Sequence, residues 1–173
     1  TYVVRAHASV RPIRDVMIWN RTPDRAKATV AQLAQHRIAA TVVTDLEAAA
    51  RRADIISTAT ISSEPLIQGA WLKPGTHVDL VGAYKPSMRE ADDEVMRRAR
   101  IFVDTETGAF GEAGDILLAI QSGAIKKSAV LGDLSELTRG KIQGRRGNDE
   151  ITLFKSVGTS IEDLAAAIAV YEK

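Results

Sequence analysis

Four short clusters of polar and small residues, Asn20-Arg21-Thr22, Thr58-Ala59-Thr60, Val81-Gly82-Ala83 and Asp104-Thr105, each follow directly on an apolar run. If those runs are strands of a doubly wound sheet, the clusters lie where such sheets take their ligands, beyond the carboxyl ends of the strands. The first cluster has the most specific chemistry. In dinucleotide-binding sheets the position after the second strand meets the adenosine ribose. A carboxylate there bonds the free 2′-hydroxyl of NAD, whereas a guanidinium suits the 2′-phosphate of NADP. Asn20-Arg21-Thr22 offers one guanidinium, one hydroxyl and no carboxylate. It favours NADP(H), with NAD(H) as the second choice. Arg21 also reads as the start of a solvated surface turn, where it would contribute little.

The elements that must position these clusters alternate. Residues 16–19 form a short β-branched and aromatic run that stops at Pro23. From Asp24 the period changes to that of a helix, with Ala26, Val30, Leu33 and Ala34 on one face and Asp24 placed to cap it. Residues 40–43 read as a strand, and 45–52 as a helix capped by Asp45. Further strands are expected at 55–59, 77–81, 101–104 and 151–154, and helices at 90–98 and 115–121. Val130, Leu131 and Leu134 make a short apolar patch, and 141–149 a polar loop. Residues 160–171 form an Ala-rich helix with Ile161, Leu164, Ala165 and Ile168 on one face. Short apolar strands alternating with amphipathic helices predict an α/β fold, a Rossmann-type doubly wound and mostly parallel sheet. With no Pro- or Ser-rich linker in 173 residues, a single domain is expected.

Composition narrows the function classes. The 23 basic and 22 acidic side chains nearly cancel, so the one-signed field used by nucleic-acid and anionic-membrane binders is missing. The absence of cysteine excludes disulfides, thiolate metal sites and cysteine nucleophiles, and fits the cytoplasm. No apolar run approaches the roughly 18 residues of a spanning helix. His7, His36 and His77 lack ligand spacing, so no metal is expected. Asp92-Asp93-Glu94 reads as acids complementing a helix dipole, and Arg145-Arg146 as solvated surface. Asp104 ends a strand and is read either as the cap of the next turn or as a catalytic group.

The dinucleotide signature G-x-G-x-x-G is missing from the chain. It would have to precede the helix that leads into residue 16, and 3–10 reads as the back half of that helix. The first strand and phosphate loop are therefore expected upstream of Thr1, unless the domain binds no dinucleotide at all.

A series of blocks resolves that choice. They are Asn20-Arg21-Thr22-Pro23, then Ala53-Asp54-Ile55-Ile56-Ser57-Thr58-Ala59-Thr60 with Glu64-Pro65, Trp71-Leu72-Lys73-Pro74-Gly75-Thr76-His77, Arg89-Glu90, Phe102-Val103-Asp104 and Glu150-Ile151-Thr152-Leu153-Phe154-Lys155-Ser156-Val157-Gly158. In this order they resemble the ornithine cyclodeaminase/μ-crystallin family over nearly the whole chain. The resemblance implies the C-terminal Rossmann domain of such a protein, 1–173, without the N-terminal substrate and dimerisation domain. It also implies hydride transfer at a carbon bonded to nitrogen, and a homodimer as the full-length protein.

By the same resemblance, Thr58, Ala59, Thr60, Val81 and Gly82 lie against the cofactor, and Ser156, Val157 and Gly158 beside the nicotinamide. The ornithine cyclodeaminases of the family place an Asp two residues beyond the Val-Gly pair. Here Tyr84 stands there. A phenol, which ordinarily titrates near pH 10, is a poor base at neutral pH but a competent proton donor. The resemblance therefore points to an NAD(P)H-dependent reductase of a small cyclic imino acid such as Δ1-pyrroline-2-carboxylate, with Tyr84 as the candidate catalytic residue. The alternatives are an ornithine cyclodeaminase and a non-catalytic μ-crystallin-like binding protein. The isolated 173 residues are expected to be inactive.

Overall fold

A computed structural model describes residues 1–172 of the chain. They form two compact units, the first Thr1–Arg52 and the second from Ala53 onward. Composition gave no sign of the division because no linker marks it.

The first unit contains α1 (Tyr2–Val10), β1 (Met17–Ile18), α2 (Pro23–Gln35), β2 (Thr41–Val42) and α3 (Leu46–Arg52). The two strands pair in parallel, Met17 with Thr41 and Ile18 with Val42. Pro23 opens α2, where its missing N–H costs nothing and its fixed φ suits the helix. Thr22 is the N-cap residue, but its hydroxyl makes no capping bond. Asp24 does not cap as expected. It lies inside the first turn, 3.0 Å from Lys27 Nζ. Ala26 and Leu33 are buried, whereas Ala34 is exposed. Seven residues return almost to the same helix face, and the eighth points 100° away. Asp45 does cap α3, its Oδ1 accepting the Ala48 N–H at 2.9 Å.

The second unit contains β3 (Ile55–Thr58), β4 (His77–Leu80), α4 (Asp93–Arg98), β5 (Ala99–Val103), α5 (Glu106–Gly111), α6 (Gly114–Gln121), β6 (Val130–Asp133), α7 (Leu134–Thr138), β7 (Ile151–Lys155) and α8 (Ser160–Tyr171). Its five strands form one parallel sheet in the order β3-β4-β7-β5-β6. The last strand in sequence thus lies in the middle. Val78, Leu80, Ile101, Val103 and Leu153 are fully buried, as expected of parallel strands covered on both faces.

Three expectations change. α4 starts at Asp93 rather than at residue 90, because Asp92 takes the N-cap position and accepts the Val95 N–H at 2.9 Å. Glu90, released from the helix, is wholly buried. The patch at Val130 is strand β6, and α7 follows it through a capping box between Asp133 and Glu136. α8 forms where periodicity placed it, but Ile161 and Leu164 on its apolar face are exposed.

Leu153 sits in the central strand with no exposed surface. Leu153→Ala is expected to lower stability in urea unfolding by about 2–5 kcal/mol. Ala34→Ser, on an exposed helix face, should change it by less than about 1 kcal/mol.

Candidate functional site

Parallel registration sets the site of the second unit. Thr58 pairs with Leu80, Leu80 with Lys155, and Lys155 with Val103, so four strands end level with one another. Thr58-Ala59-Thr60, Val81-Gly82-Ala83-Tyr84, Ser156-Val157-Gly158 and Asp104-Thr105 are therefore brought together along one carboxyl edge.

The loops after β3 and β4 run against each other. The Val81 N–H donates to the Thr58 carbonyl at 2.8 Å and the Ala83 N–H to the Thr60 carbonyl at 3.1 Å. Gly82 is needed here because a Cβ at that position would overlap Thr60 backbone and a Glu90 carboxylate oxygen. The next residue, Ala83, is fully buried with φ 49, a left-handed conformation uncommon outside glycine. That turn leaves Tyr84 43% exposed, with Lys85 Nζ 5.9 Å from the centre of its ring. Thr58 Oγ1 is buried and has no hydrogen-bond partner among the described residues.

Beneath this edge lies an ionic cluster that sequence reasoning missed. Lys155 is completely buried. Its ammonium donates to the Gly82 carbonyl and stands 3.4 Å from Asp115 Oδ2. Asp115, also completely buried in the first turn of α6, accepts the N–H groups of Glu90 at 2.8 Å and Ala91 at 3.0 Å through Oδ1. Glu90 in turn accepts the Thr60 N–H through Oε1 at 2.6 Å, while its Oε2 has no partner among the described residues. Burial pushes the Asp115 carboxyl above the usual carboxylate range, against the pull of Lys155 and the two amides, and the neighbouring Glu90 adds to the rise. In the sequence Lys155 lies inside the 150–158 block and Glu90 at the start of the expected 90–98 helix. A charged residue closing an apolar strand was the available signal.

Asp104 is an anchor. It is buried, and its Oδ2 accepts from Ser156 Oγ at 3.0 Å and from the Val157 and Gly158 N–H groups at 2.8 and 2.7 Å. Its Oδ1 accepts the Thr105 N–H, and Thr105 Oγ1 caps α5 at Gly108. Of the two readings of Asp104, the capping one is extended to the 156–158 loop. Gly158 has φ +86 and open space where a side chain would be.

In the first unit, Trp19, Asn20, Arg21, Pro23, Ala26, Val42, Val43 and Thr44 line a cavity of about 270 Å³ at the carboxyl edge of β1 and β2. Asn20 Oδ1 accepts the Thr22 N–H at 2.9 Å, a local turn bond. Among the described residues, Arg21 has no ion-pair partner, and it is exposed. The unit carries nine Lys and Arg against four Asp and Glu, so its field is positive although the whole chain is nearly neutral.

Among the described residues there is no cluster of three potential metal ligands, and no helix is long and apolar enough to cross a membrane. An all-parallel sheet with small and polar residues gathered beyond its carboxyl ends defines a Rossmann-type α/β protein. The chain belongs to the ornithine cyclodeaminase/mu-crystallin family, whose profile matches residues 2–173. It is 46% identical over 166 residues to the Delta(1)-pyrroline-2-carboxylate reductase of Paracoccus denitrificans, covering 95% of this chain and 52% of that protein. The structure of Thermococcus litoralis Delta(1)-pyrroline-2-carboxylate reductase in complex with NADH and L-proline superposes with a TM-score of 0.95 at 34% identity, over 98% of this chain and 53% of that one. The iminosuccinate reductase of Paracoccus denitrificans in complex with NAD+ gives 0.88 at 31%, over 98% and 51%. The chain spans about half the length of the curated relatives it matches.

Because the folded state raises the Asp115 pKa, it holds the proton more tightly than the unfolded chain does. That contribution is complete below the ordinary carboxylate pKa of about 4 and is lost as pH rises through the folded value. Stability against urea should therefore fall on this arm, and Asp115→Asn should flatten it. An unchanged slope in the variant would show that the proton is held elsewhere.

Proposed function

We propose that this chain is the dinucleotide-binding portion of a longer NAD(P)H-dependent reductase acting on a small cyclic imino acid, Δ1-pyrroline-2-carboxylate or a related ketimine. The observation that carries the reading is Tyr84, an exposed phenol on the carboxyl edge, at the position where the family resemblance implies a carboxylate in the ornithine cyclodeaminases. The similarity to two reductases of pyrroline-2-carboxylate supports it, as does the chain's match to about half of each. The other half would supply the substrate and dimerisation domain.

The residues fit a nicotinamide dinucleotide. Gly158 leaves open space beside a loop pinned by Asp104, which gives room for a flat ring. Thr58 Oγ1 is a buried hydroxyl still lacking a partner. Asn20 and Arg21 border a cavity in a basic unit, with Thr22 between Arg21 and Pro23 in sequence, and the guanidinium, without an ion-pair partner among the described residues, suits a 2′-phosphate. NADP(H) is therefore preferred over NAD(H). When bound, the nicotinamide supplies the hydride for the carbon of the C=N bond.

The chain's own residues orient and protonate. Gly82, Ala59 and Gly158 keep bulk away from the edge. Tyr84 offers its O–H to the nitrogen, which gains a proton as the carbon gains the hydride, so that imine becomes amine. No proton need be abstracted, and a phenol is adequate.

Assay of the full-length protein should show oxidation of NADPH with Δ1-pyrroline-2-carboxylate and no ammonia release from ornithine. The reverse pattern would overturn the reading. Arg21→Ala should raise KM for NADPH about 10–100-fold, the worth of a charged hydrogen bond of about 1.5–3 kcal/mol, and leave that for NADH unchanged.

A further inference from the structure

The carboxyl edge is held by groups that cannot themselves reach a substrate. Lys155, Asp115 and Glu90 are all completely buried, yet each ends on backbone of the exposed edge or of the segment leading to α4. Lys155 holds the Gly82 carbonyl, Glu90 the Thr60 N–H, and Asp115 the N–H groups of Glu90 and Ala91. The three come from different places in the chain: the end of β7, the first turn of α6 and the approach to α4. Between the atoms they grip lies the 82–84 turn, with Ala83 in a left-handed conformation that an L-residue keeps only when its surroundings determine it.

If stability alone were at issue, apolar side chains of similar volume would serve as well, since buried ion pairs seldom improve on good packing. What apolar groups cannot do is fix the direction of a carbonyl and an amide. Burying two carboxylates with one ammonium, and leaving Glu90 Oε2 without a partner, is unfavourable in an apolar interior. The arrangement is intelligible if the orientation of the edge matters more than its contribution to stability.

We infer that Lys155, Asp115 and Glu90 form a buried positioning cluster that fixes the Gly82 carbonyl, the Thr60 amide and hence Tyr84 for the reaction, without contacting substrate or cofactor. This rests on the imine-reductase reading for its kinetic part only.

The experiment uses the full-length protein, its Lys155→Met variant and the double variant Lys155→Met with Asp115→Asn. The amide in place of Asp115 keeps an acceptor for the Glu90 and Ala91 N–H groups while removing the carboxylate that Lys155 neutralised. Urea unfolding, NADPH affinity by titration, kcat with Δ1-pyrroline-2-carboxylate, and hydrogen exchange of peptides spanning 58–62 and 80–91 are measured on each.

The single variant should lose stability, and the double variant should regain most of it. Both should show kcat lowered on the order of 100-fold by a displaced turn, weaker NADPH binding as the 58–60 and 81–82 segments loosen, and faster exchange in the two peptides. Recovery of kcat together with stability in the double variant would overturn the inference and leave a purely structural ion pair, as would unchanged exchange in the two peptides. If the unsubstituted protein reduces no imine, the functional reading fails. The exchange comparison then still decides whether the cluster holds the edge.

Discussion

The central strand of the second unit ends on a lysine that has no access to water. An ammonium in such a place, left without partners, would cost several kcal/mol, so its surroundings have little freedom. β7 lies between β4 and β5, and its register brings Lys155 level with Leu80 and Val103. The Gly82 carbonyl is within reach just beyond Leu80. The carboxylate comes from Asp115, carried in on the first turn of α6. For that helix to deliver it, residue 114 must be Gly, since a Cβ there would overlap the Lys85 and Met88 carbonyls. The requirement of one buried cation thus fixes the start of α6 and the shape of the turn after β4.

A second anchor works beside the first by the opposite means. Asp104 gathers one hydroxyl and two backbone N–H groups on a single oxygen, so the 156–158 loop is held by donors closing on an anion. Lys155 and Asp104 are adjoining in the sheet, the Asp104 N–H donating to the Lys155 carbonyl at 3.1 Å. One side chain goes into the interior and orders the loops after β3 and β4. The other stays at the edge and orders the loop after β7. The side chains that face solvent here, Tyr84 among them, stand on backbone fixed from behind by charges that they do not touch.

Much of this could be read from the residues. Short strands built around Ile, Val and Phe and the Asp45 cap were legible because they depend on local composition. So was the edge, because in an alternating fold the residues after each strand must lie at one end. β6 was harder, being a Val-Leu-Gly-Asp strand with no alternation to mark it, and α4 was overextended because its cap depends on which of Asp92 and Asp93 turns back. Glu90 was the instructive miss. In sequence it is one more acid before a helix, and only its burial against Thr60 and Gly82 separates it from Glu94, which is exposed. Contacts between separate elements of the chain leave no local pattern. The same holds for Lys155 and Asp115.

The distribution of charge bears on the chemistry proposed for the edge. Asp104, Glu90 and Asp115, the carboxylates that hold the edge, are all buried and accept from backbone donors. The titratable side chains left exposed in the 81–85 turn are a phenol and the lysine beside its ring. That turn has donors to offer and, among its own side chains, no carboxylate to take a proton away. Deamination of a primary amine needs a group that accepts a proton, whereas reduction of a C=N bond needs one that gives it, and the imine nitrogen becomes basic as the hydride arrives. The proposed reaction asks of the edge what its exposed residues can supply. On that reading the buried carboxylates take no part in the proton transfer and serve by keeping those residues in place.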